Sequence, residues 1–225
     1  MKKKGLFIVI EGGDGAGKAT QLELLQKALV KSGQKISCFD FPQYESFFGK
    51  IVGQALKGEH GDFLALSPFL ASMPFMLDRF SAREAMRAAL KKGNVLSNRY
   101  TPSNVVYQAA KLSGKARQEF ISFLEKEYEL LDLPRPSLVI YLKVPVEVSA
   151  KLITEKAART YMGGEKGVKD LYETNVKFQT EVQKLYRSLA RKRPEWRIIE
   201  CFKKGRLLSR EEVHELVMDA VAEIC

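Results

Sequence analysis

One glycine-rich segment constrains this chain more than any other stretch. Residues 12–20 read Gly-Gly-Asp-Gly-Ala-Gly-Lys-Ala-Thr, and they lie between the apolar run 6–10 and the helical spacing of residues 21–26. A strand that turns through glycines into a helix brings backbone N–H groups together, and Lys18 adds a mobile positive charge. This pattern predicts a phosphate-binding loop (the P-loop) and a bound nucleoside triphosphate. The residues predicted to cradle it are Gly12, Gly13, Asp14, Gly15, Ala16, Gly17, Lys18, Ala19 and Thr20.

Short apolar runs alternate with helical patterns along the rest of the chain. The runs predicted to be strands cover residues 6–10, 35–41, 95–97, 138–142 and 196–200. Helical patterns lie between them, and a capping box at residues 209–212 begins a final helix. Because no linker or repeat interrupts this alternation, we expect one domain over residues 1–225. The predicted fold is α/β, a five-stranded parallel sheet with helices on both faces.

A long helical pattern begins at Ser67 and Pro68, and we expect it to run unbroken to about residue 91. Phe75, Arg79 and Arg83 follow one another at four-residue spacing, which predicts that all three project from one face. An aromatic ring beside two guanidinium groups suits a planar anionic ligand. A core phenylalanine with arginines at the rim fits the same spacing.

The chain is basic, with a net charge of +10. Its densest basic region, residues 187–206, lacks the interleaved aromatic residues of a single-strand nucleic-acid binder. We therefore interpret that region as a solvated surface and the charge as suited to anionic small molecules, with no nucleic-acid partner.

The apolar runs are too short to span a membrane, and the lysine-rich start lacks a signal-peptide core, so neither membrane attachment nor export is expected. Cys38, Cys201 and Cys225 have no metal-site spacing. The first two fall in predicted strands, which favours buried, reduced thiols in a cytoplasmic protein.

Four separated motifs occur in a fixed order: the P-loop, Phe-Pro-Gln-Tyr at 41–44, Phe-Met-Leu-Asp-Arg at 75–79 and Asn-Arg-Tyr at 98–100. With these motifs the chain resembles the thymidylate kinases essentially from end to end. The resemblance implies a P-loop kinase that transfers the γ-phosphoryl of ATP to dTMP with Mg²⁺, giving dTDP and ADP. It also implies a homodimer and a mobile lid over about residues 156–170, where the sequence is glycine-rich and charged.

The resemblance assigns a role to each residue of the acceptor site. Asp14 faces the acceptor near the sugar 3′-hydroxyl, and Phe41 and Tyr44 pack its sugar and phosphate region. Phe75 stacks on thymine, Arg79 contacts the carbonyl edge of the base, and Arg99 holds the acceptor phosphate. Asn104 and Tyr107 complete the contacts to base and sugar. The full dTMP-binding set is Asp14, Phe41, Tyr44, Phe75, Arg79, Arg99, Asn104 and Tyr107.

The implied reaction needs positively charged side chains and no general base, because the acceptor phosphate is already mostly dianionic at neutral pH. Lys18 and Arg99 supply two of the cations. Gly15 stands where some thymidylate kinases have an arginine, so the lid must supply a third. The candidates there are Arg159 and, behind it, Lys156 and Lys166.

Three residues depart from the family pattern. Asn98 replaces an aspartate that supports magnesium, and Gln43 replaces a second acceptor-phosphate arginine in many relatives. Ala19 replaces a metal-binding hydroxyl, which leaves Thr20 as the candidate metal ligand. Two alternatives stay open: a kinase of another nucleoside monophosphate or a deoxynucleoside, and a nucleotide-binding protein with little turnover. Phe41 argues against the nucleoside version, since related nucleoside kinases have a glutamate base there.

Overall fold

The computed structural model describes residues 5–152 and 176–224. Its main strands are β1 Phe7–Gly12, β2 Ile36–Asp40, β3 Asn94–Asn98, β4 Leu138–Lys143 and β5 Trp196–Glu200. They pair in the order β2-β3-β1-β4-β5, and every pair is parallel. The predicted five-stranded parallel sheet is confirmed.

The helices follow the strands in alternation. Their bounds are α1 Lys18–Lys31, α2 Phe47–Leu56, α3 Pro68–Ser81, α4 Arg83–Lys92, α5 Thr101–Ala109, α6 Gly114–Leu130, α7 from residue 146 and described to 152, α8 Val176–Lys192 and α9 Arg210–Ala222. None of these helices, within the described ranges, is long and apolar enough to cross a lipid bilayer. The predicted lid at about 156–170, with Arg159, Lys156 and Lys166, lies outside the described residues.

Helices cover both faces of the sheet. Because successive side chains of a strand point to opposite sides, each strand contributes to the core on both faces. In β1, Phe7 and Val9 pack into one buried cluster, while Ile8 and Ile10 pack into another. Helices α1 and α9 contribute to the second cluster, and α2 to α6 and α8 contribute to the first. The prediction of helices on both faces is confirmed.

The helix predicted from residue 67 to about 91 is two helices, so that prediction is wrong. The chain breaks at Ala82, whose N–H donates to the Arg79 carbonyl three residues back at 3.2 Å. This tighter turn rotates the start of α4 relative to α3. Arg83 therefore turns towards the end of α6, where its Nη1 donates to the Leu131 carbonyl at 2.9 Å. Arg83 does not share a ligand-facing surface with Phe75 and Arg79.

One further expectation is corrected. Cys38 is exposed, because β2 is an edge strand that pairs only with β3, whereas Cys201 is buried as predicted. Burial raises the pKa of the Cys201 thiol to about 12. Residues 202–207 form an antiparallel hairpin of β6 Phe202–Lys203 and β7 Arg206–Leu207, for which the sequence analysis made no prediction. Its two turn residues, Lys204 and Gly205, have φ angles of 50° and 77°, as a tight hairpin turn requires.

Candidate active site

A cavity of about 130 Å³ opens at the carboxyl ends of β1, β2 and β3. Ligands of open parallel sheets bind at this end of the strands. An apolar cavity of roughly 150 Å³ holds a benzene molecule in another protein, so this volume suits an aromatic ring. The lining residues are Asp14, Pro42, Tyr44, Leu56, Phe75, Arg79, Arg99, Ser103, Asn104, Tyr107 and Gln108.

The P-loop adopts the glycine-dependent conformation that its sequence predicts. Gly15 and Gly17 have φ angles of 76° and 85°, a region that side chains with a Cβ rarely occupy. The Lys18 ammonium is buried and donates to the Gly13 carbonyl at 2.8 Å. Burial, and then the positive charge of Arg99, lower the pKa of Lys18 to about 8. The loop is therefore closed around its own lysine, beside the cavity.

The first turn of α1 carries the departure at position 19. Ala19 is exposed there, and Thr20 beside it is half-buried. Gly12 and Ala16 are buried beneath the loop, so they support its shape and offer no side-chain ligand. Thr20 is thus the one residue among 18–20 that has a side-chain hydroxyl.

A charged cluster joins the P-loop to the segment after β3. Arg99 pairs with Asp14 through Nη2, and the Tyr107 hydroxyl donates to the other Asp14 oxygen at 3.1 Å. Burial would raise the pKa of Asp14, but Arg99 and Lys18 together hold it below its ordinary value. Burial would likewise lower the pKa of Arg99, yet the Asp14 charge keeps it well above the usual range. Both groups therefore stay charged at neutral pH.

Arg99 also has an unusual backbone. Its φ angle is 61°, in the left-handed region that costs a residue with a Cβ about 1–2 kcal/mol. This conformation turns the chain sharply at the end of β3. It places the guanidinium over the Tyr107 ring, with 5.3 Å between Cζ and the ring centre.

A buried carboxylate holds this turn in place. Glu11, at the end of β1, is fully buried and accepts hydrogen bonds from the backbone N–H groups of Tyr100 and Ser103 at 2.9 and 3.2 Å. Its other oxygen accepts from the Ser103 hydroxyl at 2.6 Å and the Tyr186 hydroxyl at 2.8 Å. Sequence analysis missed Glu11, although a charge inside an apolar strand was a signal that it has a buried partner.

Arg79 is almost fully buried between two aromatic rings. Its Cζ lies 5.0 Å from the centre of the Phe41 ring and 5.5 Å from that of Phe75. Its Nη1 donates to the Phe75 carbonyl at 3.1 Å and to Asp78 at 3.2 Å, while Nε has no partner among the described residues. Phe75 lines the cavity, whereas Phe41 supports Arg79 from behind. Asp78 also accepts from the Gln43 N–H at 3.2 Å, which connects the 41–44 loop to α3. Sequence analysis missed that role.

Asn104 reaches the cavity from α5 with its amide held on one side. Its Nδ2 donates to the Ser72 carbonyl and to the Tyr128 hydroxyl, and its Oδ1 has no partner within residues 5–152 and 176–224. Tyr44 also lines the cavity and is half exposed. Asn104 thus lies in the buried part of the cavity wall and Tyr44 in its exposed part.

The other departure from the family pattern, Asn98, lies at the end of β3. Its Nδ2 donates to Asp40, directly across the β2–β3 register, at 2.8 Å. Its Oδ1 has no partner in the part of the chain that is described. Within those residues, histidine, cysteine and acidic side chains form no group of three that could hold a metal.

A sequence model of known proteins matches residues 10–213, and its description is thymidylate kinase. The chain belongs to the thymidylate kinase family. The thymidylate kinase of Mycobacterium tuberculosis strain H37Rv is 33% identical over 189 residues, which cover 82% of this chain and 86% of that protein. A probable thymidylate kinase of Thermococcus onnurineus is 31% identical over 226 residues, covering 96% and 97%. The thymidylate kinase structure of Candida albicans shares the fold, with a TM-score of 0.74 at 23% identity over 98% of this chain and 92% of that one.

The geometry brings together most of the acceptor-site residues predicted from the thymidylate kinase resemblance. The cavity is lined by Asp14, Tyr44, Phe75, Arg79, Arg99, Asn104 and Tyr107. Phe41 lies behind Arg79, and Arg159 falls outside the described residues. The lining residues that sequence reasoning missed are Pro42, Leu56, Ser103 and Gln108.

Proposed function

We propose that this chain is a working thymidylate kinase, transferring the γ-phosphoryl of ATP to dTMP to give dTDP and ADP in dTTP synthesis. The observation that carries the proposal is the cavity beside the P-loop. In that cavity an aromatic ring from Phe75, a buried guanidinium from Arg79 and a second cation from Arg99 face one space. A ring, a carbonyl edge and a phosphate are the three parts of dTMP that these groups suit.

The polar groups at the base end favour thymine. Thymine presents an N3–H donor between two carbonyl acceptors, whereas cytosine presents an N3 acceptor beside an amino donor. Arg79 is a donor only, and the side-chain atom of Asn104 without a partner is its Oδ1 acceptor. A donor from Arg79 and an acceptor from Asn104 in one cavity match thymine and mismatch cytosine.

At the phosphate end, the proposed roles follow from charge. Arg99 would exchange its Asp14 partner for the acceptor phosphate, and Lys18 would stabilise the transferring phosphoryl group. Asp14 lines both this cavity and a second cavity between the P-loop, α7 and α8, so the two substrates would meet beside it. A general base is not needed, because the acceptor oxygen is already ionised. Arg159 is the proposed third cation, in a lid over about residues 156–170.

Mg²⁺ is part of the proposal, bound together with ATP. The residues fit because Mg²⁺ uses few protein oxygens and keeps several water molecules. The Thr20 hydroxyl would hold the ion, and the Asn98 Oδ1, without a partner among the described residues, can accept a hydrogen bond from its water shell. When bound, the ion supplies positive charge at the triphosphate.

We also propose a homodimer in the cytoplasm. A stripe of exposed apolar side chains runs along the outer face of α3 and the residues before it, and we name it the α3 stripe: Leu66, Phe69, Leu70 and Met73. Phe123 of α6 adjoins it, with 5.1 Å between its ring centre and that of Phe69. Free thiols such as Cys38 and Cys201 are typical of a reducing compartment, which supports the proposed location.

A coupled ADP-release assay with a panel of acceptors tests the function. With ATP, Mg²⁺ and each acceptor in turn, we expect kcat/KM for dTMP to exceed that for dCMP and AMP by about 100-fold or more, and thymidine to give no turnover. A Lys18→Ala variant shows that the signal comes from this site. Preference for dCMP or AMP would indicate a kinase of another acceptor. Tight binding of ATP and dTMP without ADP release would indicate a binding protein.

A further inference from the structure

We propose that Tyr128 on α6 is a specificity-determining positioning residue that fixes the Asn104 amide and so selects the base. The inference rests on the proposed function, because it concerns how that site distinguishes thymine from cytosine. Tyr128 is not among the residues that line the cavity. Its effect on the base is therefore exerted through Asn104.

Both hydrogen bonds of the Asn104 side chain are donated by its amide nitrogen. Its side chain is 2% exposed, and Nδ2 donates to the Ser72 carbonyl at 3.0 Å and to the Tyr128 hydroxyl at 2.7 Å. An amide nitrogen has two hydrogens, so both are used. Oδ1 is then the remaining polar atom of the side chain, and it has no partner in the described ranges.

The chemistry of these partners determines which amide atom is which. A backbone carbonyl such as that of Ser72 only accepts, so the atom facing it must be the nitrogen. The Tyr128 hydroxyl accepts the second hydrogen and completes the orientation. Asn104 is thereby left with an acceptor for the base, which suits the thymine N3–H and repels the lone pair at cytosine N3.

Both anchors are needed because each comes from a different element. Ser72 lies on α3, Asn104 on α5 and Tyr128 on α6, so the two bonds hold the amide from two sides. With the Ser72 bond alone, the amide can rotate about it and expose an unsatisfied N–H to the cavity. A site that offers a fixed acceptor rejects a ligand lacking the matching donor much more strongly than a site that can rotate.

Tyr128→Phe tests the inference, because it removes one hydroxyl and keeps the ring. We expect the ratio of kcat/KM for dTMP to that for dCMP to fall about tenfold, through a higher KM for dTMP, with kcat at saturating dTMP within about twofold of wild type. The matched control is Tyr141→Phe, since Tyr141 in β4 is also buried and its hydroxyl has no partner among the described residues. The control should keep the wild-type ratio.

A double-mutant cycle shows whether Tyr128 acts through Asn104. In an Asn104→Ala background, Tyr128→Phe should leave the dTMP-to-dCMP ratio unchanged. The inference is overturned if Tyr128→Phe lowers kcat/KM for dTMP and for dCMP in the same proportion. It is also overturned if Tyr128→Phe lowers the dTMP-to-dCMP ratio further in the Asn104→Ala background. The wild-type measurement separates failure of the proposed function from failure of this inference. If the wild-type protein shows no preference for dTMP, the proposed function is wrong. If its preference is unchanged in Tyr128→Phe, only the role of Tyr128 is wrong.

A ligand-side measurement gives a second test that needs no variant. Binding of dTMP and of its N3-methyl analogue to the wild-type protein is compared by calorimetry. The analogue lacks the N3–H donor, so we expect at least tenfold weaker binding. Equal binding of the two would show that no fixed acceptor reads N3, and it would overturn the inference.

Discussion

Among single residues, Lys18 shows most directly how burial changes the charge of a group with a proposed catalytic role. Its ammonium is enclosed by the P-loop and lies 3.7 Å from an Asp14 oxygen. Burial and the nearby Arg99 charge lower its pKa to about 8 although Asp14 partly offsets them. In the free protein, the cation proposed to meet the phosphates is therefore lost as the pH rises through about 8.

This pKa predicts how the reaction depends on pH. We expect kcat/KM for ATP, which reports the free enzyme, to fall above about pH 8, by about tenfold for each further pH unit. The substrate phosphates have second pKa values near 6 and do not change charge there. Lys111 is the control, because burial lowers its pKa to about 8 as well. The decline should persist in Lys111→Met, and its loss in that variant would contradict the assignment to Lys18.

The sequence predicted residues whose role depends on local pattern and missed those whose role depends on distant partners. The glycines at 15 and 17 are needed for a turn between adjacent elements, so their role is visible locally. Glu11 and Tyr128 act through partners 92 and 24 residues away, Ser103 and Asn104. Asp78 likewise meets the Gln43 backbone 35 residues earlier. No spacing rule indicates such contacts.

At the scale of elements, Glu11 connects three parts of the fold. It is the penultimate residue of β1, and its carboxylate binds the start of α5 and the Tyr186 hydroxyl of α8. The turn that carries Arg99 with its left-handed backbone lies between these parts. We infer that the hydrogen bonds to Glu11 offset the cost of that backbone and keep Arg99 directed at the cavity.

Substitution of Glu11 should therefore cost stability. In Glu11→Gln one oxygen becomes an NH₂ group that faces donors, and we expect the free energy of unfolding to fall by about 2 kcal/mol. Tyr186→Phe should cost about 1 kcal/mol, and the double variant less than the sum. Urea denaturation measures all three. Tyr141→Phe is the control, since Tyr141 stacks on Tyr186 at 4.7 Å without a hydroxyl partner among the described residues. A Glu11→Gln variant as stable as wild type would contradict this account.

The order of elements could be predicted from the sequence, but one helix break could not. Apolar runs alternating with helical patterns indicate a parallel sheet, and the capping box at Ser209 and Glu212 forms as predicted. The break at Ala82 occurs without glycine or proline, whereas Pro74 lies inside α3 without ending it. The break is decided by packing, because Arg83 and Arg87 bond to the carbonyls of Leu131 and Asp132 at the end of α6. Those contacts connect segments almost fifty residues apart.

In the whole molecule, α3 presents two faces of different character. Phe75 and Arg79 line the cavity on one side. The α3 stripe lies on the other, where Leu70 is 60% exposed. Exposed apolar patches are typical of interaction sites, and the proposed homodimer would cover this one. Dimer contacts would then stabilise the same helix that holds the base.

Charges placed in the stripe should separate the subunits. We expect Leu70→Glu with Met73→Glu to convert a dimer into a monomer in analytical ultracentrifugation, because two carboxylates per copy would be buried in the interface. The KM for dTMP should rise several-fold as α3 loses its support. Val30→Glu, at an exposed apolar position on α1, is the matched control and should remain dimeric. A monomeric wild-type protein would refute the proposed interface directly.

The exposed thiol on the edge strand offers a way to observe such assemblies. Cys38 is open to solvent, whereas Cys201 is buried with a pKa raised to about 12, so a maleimide dye at neutral pH would react with Cys38 first. With Cys225 replaced by serine, each copy would carry one fluorophore on the rim of its sheet. Energy transfer between donor- and acceptor-labelled copies would then follow subunit exchange in real time.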